Sequence, residues 1–526
     1  MTQPESLVEY GSRRVIITIT AIFCALLEIV DTTIVNVALK DMQGNLGATM
    51  TEVGWVITAY AIGNVIIVPM TSWLSRQFGR RNYFAASIIL FTICSFLCGN
   101  ATNIWELVIF RFIQGLGGGA LLVTSQTIIT ESYPVEKRGM AQAIYGLGVI
   151  IGPTLGPPLG GYIVDNFSWP YIFYINIPIG VIATLLTLQF VRSPKYGEKS
   201  KGRDVDWLGI ALLALAVGSL QYVLEKGQDD DWFSSSTIIV LAVIAVLGVF
   251  LFIWRELRFA NPIVELRVLK NINLRTGTIL SFIMGFGLYG STFIIPFYTQ
   301  STLGWTAQQA GQLMIPSAVT TAFMMPMIGK LLQKGIPQKY LVSLGLLLFA
   351  GFTFWCYKII TPDTSEDAFF WPLIVRGIGM GMLFIPITTL SLSTLKGQQI
   401  GQGAAFTGMM RQLGGSFGVA LITTFMSRRN MMHRSDLVNN LNVNDPHVQE
   451  RVNALQQNFM SKGFAPDVAL AKGYKMLDFS VSKQAAVLSY MDVFLYLGVM
   501  FLICIPFIMM LKAKQQQKVD LAEAMH

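Results

Sequence analysis

The stretch GPTLGPPLGG, residues 152–161, lies within an apolar segment, residues 139–163, that is long enough to cross a lipid bilayer. Its glycines Gly152, Gly156 and Gly160 recur every four residues and form one smooth helix face that another helix can approach closely. Its prolines remove backbone donors and bend the helix, which a membrane tolerates only where other protein covers the freed carbonyl groups. The stretch therefore predicts a bent helix in the interior of a bundle, packed against a helix from the other half of the molecule.

The composition of the whole chain agrees with a membrane location. Of the 526 residues, 53% are hydrophobic and 13% are charged, whereas roughly 25% are charged in an average soluble protein. The apolar residues form continuous blocks of about 20 residues, the length that crosses ~30 Å of hydrocarbon. Transmembrane β-barrels instead alternate polar and apolar residues in strands of about 10 residues. We predict an all-α polytopic membrane protein.

Apolar blocks bounded by charge, glycine or proline give fourteen predicted transmembrane helices. They comprise residues 15–39, 52–74, 83–100, 105–129, 139–163, 171–191, 206–224, 236–254, 274–299, 308–329, 340–360, 369–394, 403–427 and 485–511. We expect an N-terminal half of six helices in residues 1–192, two linking helices in residues 193–270, and a C-terminal half of six helices in residues 271–526.

Basic residues are concentrated on one side of the predicted membrane. With the N-terminus inside, the short inner segments carry 24 lysines and arginines, and the short outer loops carry three, Lys40, Lys226 and Lys358. This distribution follows the positive-inside rule and predicts that both termini are cytoplasmic. The formal net charge of +8 therefore indicates membrane orientation and not a nucleic-acid partner.

The predicted spans contain no histidine and no recognisable catalytic or metal-binding motif. The five cysteines lie in apolar segments, where free cysteine behaves as a small hydrophobic residue. The three histidines, His433, His447 and His526, lie outside the spans, and the chain contains no phosphate-binding loop G-x-x-x-x-G-K-[ST]. We predict no disulfide, no metal, no cofactor, no enzymatic activity and no direct use of ATP.

One outer segment, residues 428–484, is much longer than the others and is polar. It resembles two amphipathic helices around Gly463, with Asp445 as an N-cap and Pro446 as the first helical residue. Loops of this length are uncommon unless they are functional or disordered. Two interpretations remain open: a structured cap over the outer mouth, or a docking site for a partner protein.

A weak internal repeat relates the two halves. LVIFRFIQGLGGG (107–119) and PLIVRGIGMGMLF (372–384) both place an arginine near the start of a span and glycines after it. The spans that follow pair Gly139 with Gly401 and Gly152 with Gly414. Two related halves around a site at the membrane midplane are typical of secondary transporters.

Ionisable residues at bilayer depth predict a proton site. Each costs at least about 2.5 kcal/mol on insertion scales, so its presence needs a reason. Glu28 and Asp31 lie three residues apart on one helix face, and Arg111 and Gln114 lie in the fourth span. A low-dielectric cavity favours a neutral carboxylate and a nearby cation favours a charged one, so Asp31 is the expected proton carrier. We expect Arg376, Arg411 and Asp492 to be structural or interfacial.

Adaptable apolar side chains in the C-terminal half predict a substrate cavity. Methionine and aromatic residues tolerate ligands of varied shape, although most of the 24 methionines are expected simply to pack helices. The candidates for substrate contact are Asn36, Met284, Phe286, Tyr289 and Met380.

The motifs LEIVDTTIVNVAL, LVIFRFIQGLGGG, GPTLGPPLGG and YIFYINIPIG, in this order, resemble those of the major facilitator superfamily. Within it, the chain is similar over nearly its whole length to the fourteen-span, EmrB-like drug:proton antiporters. This resemblance implies the major facilitator fold and proton-driven export of hydrophobic compounds from the bacterial cytoplasm across the inner membrane. It also implies an EmrA-like periplasmic adaptor and a TolC-like outer-membrane channel as partners in double-membrane bacteria.

The resemblance also implies roles for individual residues. Asp31, Arg111 and Gln114 match family positions linked to proton coupling. The inner loop SWLSRQFGRR (72–81) departs from the family pattern, because Ser72 replaces a glycine and Arg76 replaces an aspartate that helps lock the two halves. The positions that match conformational motifs of the family are Gly79 and Arg80 in this loop and Gly152, Gly156, Pro157, Gly160 and Gly161 in the fifth span.

Two alternatives to multidrug export remain open. One is a proton-coupled transporter of a single metabolite or lipid-like compound. The other is a receptor or assembly subunit that transports nothing, although buried Glu28, Asp31 and Arg111 would then have no use.

Overall fold

The computed structural model describes residues 7–134, 137–193, 205–259, 261–442 and 444–510, and its regular structure in these ranges is helical. The α-helices are α1 (Gly11–Asn45), α2 (Met50–Phe78), α3 (Arg80–Gly99), α4 (Ile104–Ser132), α5 (Arg138–Asn166), α6 (Tyr171–Tyr174), α7 (Asn176–Phe190), α8 (Trp207–Lys226), α9 (Ser236–Arg258), α10 (Ile272–Ser301), α11 (Ala307–Leu313), α12 (Ile315–Gln333), α13 (Gln338–Ile359), α14 (Asp367–Leu392), α15 (Gln398–Asn439), α16 (Pro446–Ser461) and α17 (Pro466–Met510).

The predicted spans correspond closely to these helices. Within the described ranges, thirteen helical segments are long and apolar enough to cross a membrane, judged by length and composition. The remaining predicted span, residues 403–427, lies in α15, which is less apolar on average but packs against α2, α4, α10 and α17. The all-α polytopic architecture is confirmed.

Two predicted spans are each divided into two helices. The span 171–191 is interrupted at Ile175, between α6 and α7, and the span 308–329 is interrupted at Met314, between α11 and α12. Each second helix carries a proline in its first turn, Pro178 and Pro316. Proline is tolerated there because the first backbone N–H groups of a helix have no intrahelical acceptor.

The contacts between helices divide the bundle into two sets, and α8 contacts both of them. Helices α1 to α7 form one set of packed helices, and α10 to α15 with α17 form the other. The two sets meet where α5 contacts α11, α12 and α14, and where α15 contacts α2 and α4. Helix α8 pairs with α9 and also lies against α2 and α15. The division at residues 192 and 270 stays a prediction, and residues 194–204 and 511–526, with the predicted basic tail, lie outside the described residues.

The two sets of helices are in contact at the end predicted to be cytoplasmic. A Cβ atom added to Gly401 at the start of α15 would lie 3.4 Å from Oγ of Ser72 on α2. At the same end, the amide of Gln398 lies against the guanidinium of Arg76. The structure is therefore closed on this side, and Arg76, which replaces the family's aspartate, contributes to that contact with a polar side chain of the other half.

The glycine face of α5 packs against α1, in the same half, so the predicted partner was wrong. A Cβ atom at Gly152 would lie 2.4 Å from Cγ2 of Ile29, and one at Gly156 would lie 2.0 Å from Oγ1 of Thr33. A third at Gly160 would lie 2.8 Å from Cγ1 of Ile34. The prediction of close helix packing is thus correct, but its partner is the first span.

The prolines Pro157 and Pro158 of α5 face the other half, whereas Gly152, Gly156 and Gly160 face α1. A Cβ atom at Gly311 on α11 would lie 2.6 Å from Cδ of Pro158 and 3.2 Å from Cβ of Pro157. Gly161 is less crowded, since its Cβ atom would be 3.7 Å from Cβ of Gln308. The bent part of α5 therefore contacts α1 on one side and α11 on the other.

The two helices predicted around Gly463 in residues 428–484 are present as α16 and the start of α17, and the segment also contains the end of α15. Helix α15 continues out of its span to Asn439, and α17 begins at Pro466 and runs without interruption into the last span. Helix α16 lies between them, with Asp445 accepting a hydrogen bond from the backbone N of His447 and Pro446 as first helical residue, as predicted. Gly463 has φ of 88° and turns the chain from α16 to α17.

Ion pairs connect the outer parts of α15 and α17. Asp492 on α17 accepts hydrogen bonds from Nε of Arg429 at 2.5 Å and lies 2.6 Å from Nε2 of His433. Further out, Nη2 of Arg434 donates to Asp478 at 2.8 Å. These contacts hold the two long helices side by side at the predicted outer membrane surface and beyond it.

Candidate functional site

Asp31 on α1 lies at the centre of a buried polar network. Its side chain is fully buried, and Nη1 of Arg111 on α4 donates to its Oδ2 at 2.5 Å. Gln114 on α4 and Asn176 on α7 donate to its Oδ1 at 3.2 Å and 2.9 Å. The structure thus brings together three of the four predicted coupling residues, and it adds Asn176.

The arginine of this network is directed inward. Arg111 is 1% exposed, so its guanidinium does not extend to the membrane surface. Its Nε donates to the backbone O of Val56 on α2, and its guanidinium carbon lies 4.1 Å from the centre of the Tyr60 ring. Each contact fixes the guanidinium relative to α2, so Nη1 is left to bind Asp31 and Oε1 of Gln114.

Glycines allow α2 and α4 to approach closely enough for these contacts. A Cβ atom at Gly115 would lie 2.3 Å from the backbone O of Tyr60, and one at Gly63 would lie 2.3 Å from that of Phe112. Neither backbone atom can move without separating the helices. The glycines that follow Arg111 in sequence therefore position the arginine by removing side chains from the helix interface.

Ser95 completes the network and was missed by the sequence analysis. Both Gln114 and Asn176 donate to its Oγ at 2.9 Å. Asn176 lies in the quoted motif YIFYINIPIG, where it is the one amide in an apolar run, so a signal was available. Ser95 in the third span carried no such signal, because serine is common in transmembrane helices as a small residue.

Glu28 is buried near this network but has its own partner. The carboxylate is 4% exposed, and its Oε1 accepts a hydrogen bond from Nδ2 of Asn64 on α2 at 2.8 Å. The electrostatic neighbours of Glu28 are Asp31 on its own helix and Arg411 on α15. The two carboxylates therefore have different surroundings, one paired directly with an arginine and the other held by an amide.

The C-terminal half has an arginine at the repeated position but not the same pairing. Nε, Nη1 and Nη2 of Arg376 on α14 donate to the hydroxyl groups of Ser291, Ser317 and Thr292 at 3.1, 2.8 and 2.8 Å. Arg376 therefore holds α10, α12 and α14 together, as expected of a structural residue. Of the two sites, the one around Asp31 pairs its arginine with a carboxylate, whereas the one around Arg376 pairs its arginine with hydroxyl groups.

The inner-loop motif forms a second buried ion pair. Gly79 has φ of 82°, a conformation that favours glycine, and ends α2. The following Arg80 donates from Nη1 to Oε2 of Glu131 at 2.5 Å and from Nη2 to Oε1 at 3.2 Å. This two-point pair joins the inner ends of α3 and α4.

The predicted substrate contacts are not gathered in one open cavity. Met284, Phe286 and Met380 are each at most 3% exposed and belong to the apolar core. Tyr289 is 38% exposed, and Asn36 is exposed on α1. The side chains of Met284, Phe286 and Met380 pack between helices of the C-terminal half, because their own helices are surrounded by other helices on several sides. A substrate-binding role for all five stays a prediction.

Fourteen helical spans, two contacting sets of helices and a buried carboxylate–arginine network define a class of membrane transporter. A family model for the Major Facilitator Superfamily matches residues 21–419, and the chain belongs to this superfamily. The predicted major facilitator fold and the prediction that the chain is not an enzyme are confirmed.

Within the superfamily, the chain is similar to EmrB-type proteins, as its motifs predicted. It is 35% identical over 447 residues to the multidrug export protein EmrB of Escherichia coli (strain K12), which covers 85% of this chain and 86% of the relative. It is 34% identical over 498 residues to the fatty acid resistance protein FarB of Neisseria gonorrhoeae, covering 94% of this chain and 96% of the relative.

The fold is similar to that of solved transporters. The structure of the proton:xylose symporter XylE bound to 6-bromo-6-deoxy-D-glucose matches 98% of this chain and 99% of that chain, with a TM-score of 0.60 and 15% sequence identity. At this identity the likeness shows the fold alone.

Proposed function

We propose that this transporter exports hydrophobic or amphipathic drugs and toxic compounds in exchange for protons. The observation that carries the proposal is the buried network in which Asp31 accepts hydrogen bonds from Arg111, Gln114 and Asn176. Glu28, one turn away on the same helix, is a second carboxylate at the same depth. We assign proton transfer to Asp31, with Arg111 and Gln114 controlling its charge, and a secondary role to Glu28.

The physical basis is the balance of forces on the Asp31 carboxylate. Burial favours the protonated form, and the Arg111 guanidinium with its hydrogen-bond donors favours the ionised form. A change in helix packing that moves Arg111 relative to Asp31 alters this balance. An inward-moving proton gains about 2.3 kcal/mol per 100 mV of membrane potential, which is enough to drive export of a substrate against its gradient.

The substrate class follows from the relatives. EmrB is named a multidrug export protein and FarB a fatty acid resistance protein, and fatty acids are amphipathic molecules. The alternative of a single lipid-like substrate is supported by the similarity to FarB over 94% of this chain. Broad drug export is favoured because Met284, Phe286 and Met380 offer adaptable apolar surface once the halves separate.

The proposal is tested with purified protein in liposomes under an imposed pH gradient. We expect lipophilic dyes to be transported against their concentration gradient. Addition of a dye should also cause protons to cross the membrane in the opposite direction, and a pH-sensitive fluorophore reports this movement. Transport of several unrelated dyes supports multidrug export, and transport of fatty acids alone supports the alternative. Dye movement without any proton movement would contradict antiport.

We place the protein in the bacterial inner membrane with both termini in the cytoplasm. Support comes from the positive-inside distribution of lysine and arginine and from the bacterial relatives. This orientation directs the outer part of α15, helix α16 and the start of α17 toward the periplasm of a double-membrane host.

This outer layer is proposed as the docking surface for an EmrA-like adaptor that leads to a TolC-like channel. Support comes from exposed apolar side chains on it, since Phe479 is 61% exposed and Met431 is 63% exposed, and such residues are typical of protein interfaces.

Replacing Phe479 with serine tests this docking. We expect the variant to lose drug resistance in a double-membrane host that supplies the adaptor, because an apolar contact is removed, and to retain proton-driven dye transport in liposomes. Minimum inhibitory concentrations and liposome transport are the two measurements. Unchanged resistance would contradict docking at this face.

A further inference from the structure

Arg411 lies at membrane depth where the two sets of helices meet. It is on α15, about 12 Å inside the predicted inner boundary of its span, given a rise of 1.5 Å per residue, and it is 4% exposed. Its guanidinium carbon lies 5.5 Å from the centre of the Phe384 ring on α14. The Phe384 ring in turn lies 6.4 Å from that of Tyr145 on α5, across the interface.

The guanidinium of Arg411 has an unfilled donor. Within the part of the chain that the structure describes, Nη1 of Arg411 is buried and has no hydrogen-bond partner. Arg111 at similar depth is paired with Asp31, and Arg376 donates to three hydroxyl groups. A buried donor without a partner is unfavourable, so Arg411 differs from these two, although the hydroxyl of Tyr145 lies close enough to interact with its guanidinium.

The groups around Arg411 come from both halves and are mostly aromatic. Tyr289 on α10 and Tyr145 on α5 interact with it electrostatically. The acidic group that interacts with Arg411 electrostatically is Glu28 on α1. Its carboxylate already accepts a hydrogen bond from Asn64. The guanidinium therefore faces the other half of the protein, and aromatic surfaces flank it.

We propose that Arg411 binds the carboxylate head of amphipathic anionic substrates, whose apolar tails lie against the neighbouring aromatic rings. This assignment rests on the proposed transport function and names one substrate class for it. A planar guanidinium presents two parallel N–H donors that match the two oxygens of a carboxylate. When the halves separate, a carboxylate can fill the donor that this structure leaves without a partner, and Glu28 competes with it as the protein's own anion.

The test compares two ligands that differ in the carboxylate. Pyrenebutanoate and the neutral pyrenebutanol share a ring and a chain, and energy transfer from the protein's tryptophans reports their binding to the purified full-length protein in neutral detergent. We expect Arg411→Gln to weaken pyrenebutanoate binding by about tenfold to hundredfold, the range for a hydrogen bond to a charged group. Binding of pyrenebutanol should change less than about threefold, and Arg411→Lys should give an intermediate loss for the carboxylate.

The control is Arg428→Gln, the same substitution at an exposed position of the same helix, which should bind both ligands as the wild type does. Equal weakening of both ligands by Arg411→Gln, or equal affinity of the wild type for both, would overturn the assignment. Displacement of pyrenebutanoate by phosphatidylglycerol with the same dependence on Arg411 would identify a lipid-headgroup site instead and would also overturn it. Because binding is measured without a pH gradient, failure of proton coupling in liposomes would leave this result standing.

Discussion

Replacing Asp31 with asparagine is expected to abolish proton-driven accumulation of substrate. Asparagine retains the size of the side chain and one oxygen acceptor for the donors around it. Unlike a carboxylate, its amide cannot take up and release a proton during transport. A proton exchanged for one substrate sustains up to about a tenfold concentration ratio per pH unit. We expect this ratio to fall to about one in liposomes, while exchange of labelled for unlabelled substrate without a gradient continues.

The matched control is Asp41→Asn, the same substitution at an exposed position of the same helix, which should accumulate substrate as the wild type does. Because Asp31→Asn leaves the buried Arg111 without its counter-ion, it is also expected to lower stability, by roughly 3–5 kcal/mol. The double variant Asp31→Asn with Arg111→Gln removes both charges and should recover part of the thermal stability but none of the accumulation. Gradient-driven accumulation at the wild-type ratio in Asp31→Asn would show that the coupling carboxylate lies elsewhere.

Replacing Gly156 with alanine is expected to reduce transport by more than about tenfold. The added Cβ atom would lie 2.0 Å from Oγ1 of Thr33, 2.7 Å from its Cβ and 3.2 Å from the backbone N of Ile34. Rotation of the Thr33 side chain can move its Oγ1 but not its Cβ or the backbone N of Ile34, so α5 must move away from α1. Overpacking of this kind costs about 1–3 kcal/mol, and it disturbs α1, the helix that carries Asp31. Transport rate in liposomes and thermal midpoint are the measurements.

The control for Gly156→Ala is Gly161→Ala on the same helix, where the new Cβ atom would be 3.7 Å from Cβ of Gln308. This distance is ordinary van der Waals contact, so transport should be retained. Replacing Thr33 with glycine in the Gly156→Ala background removes the two closest atoms and should restore part of the transport. Equal transport by the two alanine variants would contradict the argument that close packing of α1 and α5 is required.

The spans and the central ion pair could be predicted because each contrasts strongly with its surroundings. Asp31 and Arg111 are charged residues in apolar runs, and the cost of burying either alone makes a pairing the expected solution. The partner of the glycine face on α5 could not be predicted, because small residues indicate that a helix approaches closely without indicating which one. Contacts such as that of Gly156 with Thr33 depend on the arrangement of the whole bundle.

The helical nature of residues 428–439 was also missed, for a different reason. The polar composition after residue 427 marks the end of the apolar run, and the span boundary was placed there. Membrane burial ends where polarity rises, but a helix ends only where its backbone is interrupted. Residues 419–439 contain neither glycine nor proline, so the helix had no local reason to end at the membrane surface.

Because of this continuity, α15 is one uninterrupted helix from the inner end of its span to Asn439. Its 42 residues make it about 63 Å long, roughly twice the ~30 Å thickness of the hydrocarbon layer. Gly401 lies at the contact near one end, Arg411 lies about one third of the way along, and the outer part is connected to α17 through Arg429. A tilt of about 10° around its midpoint would displace the two ends by roughly 5 Å in opposite directions. A protein bound to the outer part of α15 would therefore contact the same helix that forms the contact at the end predicted to be cytoplasmic, so its binding would be coupled to the opening of that end.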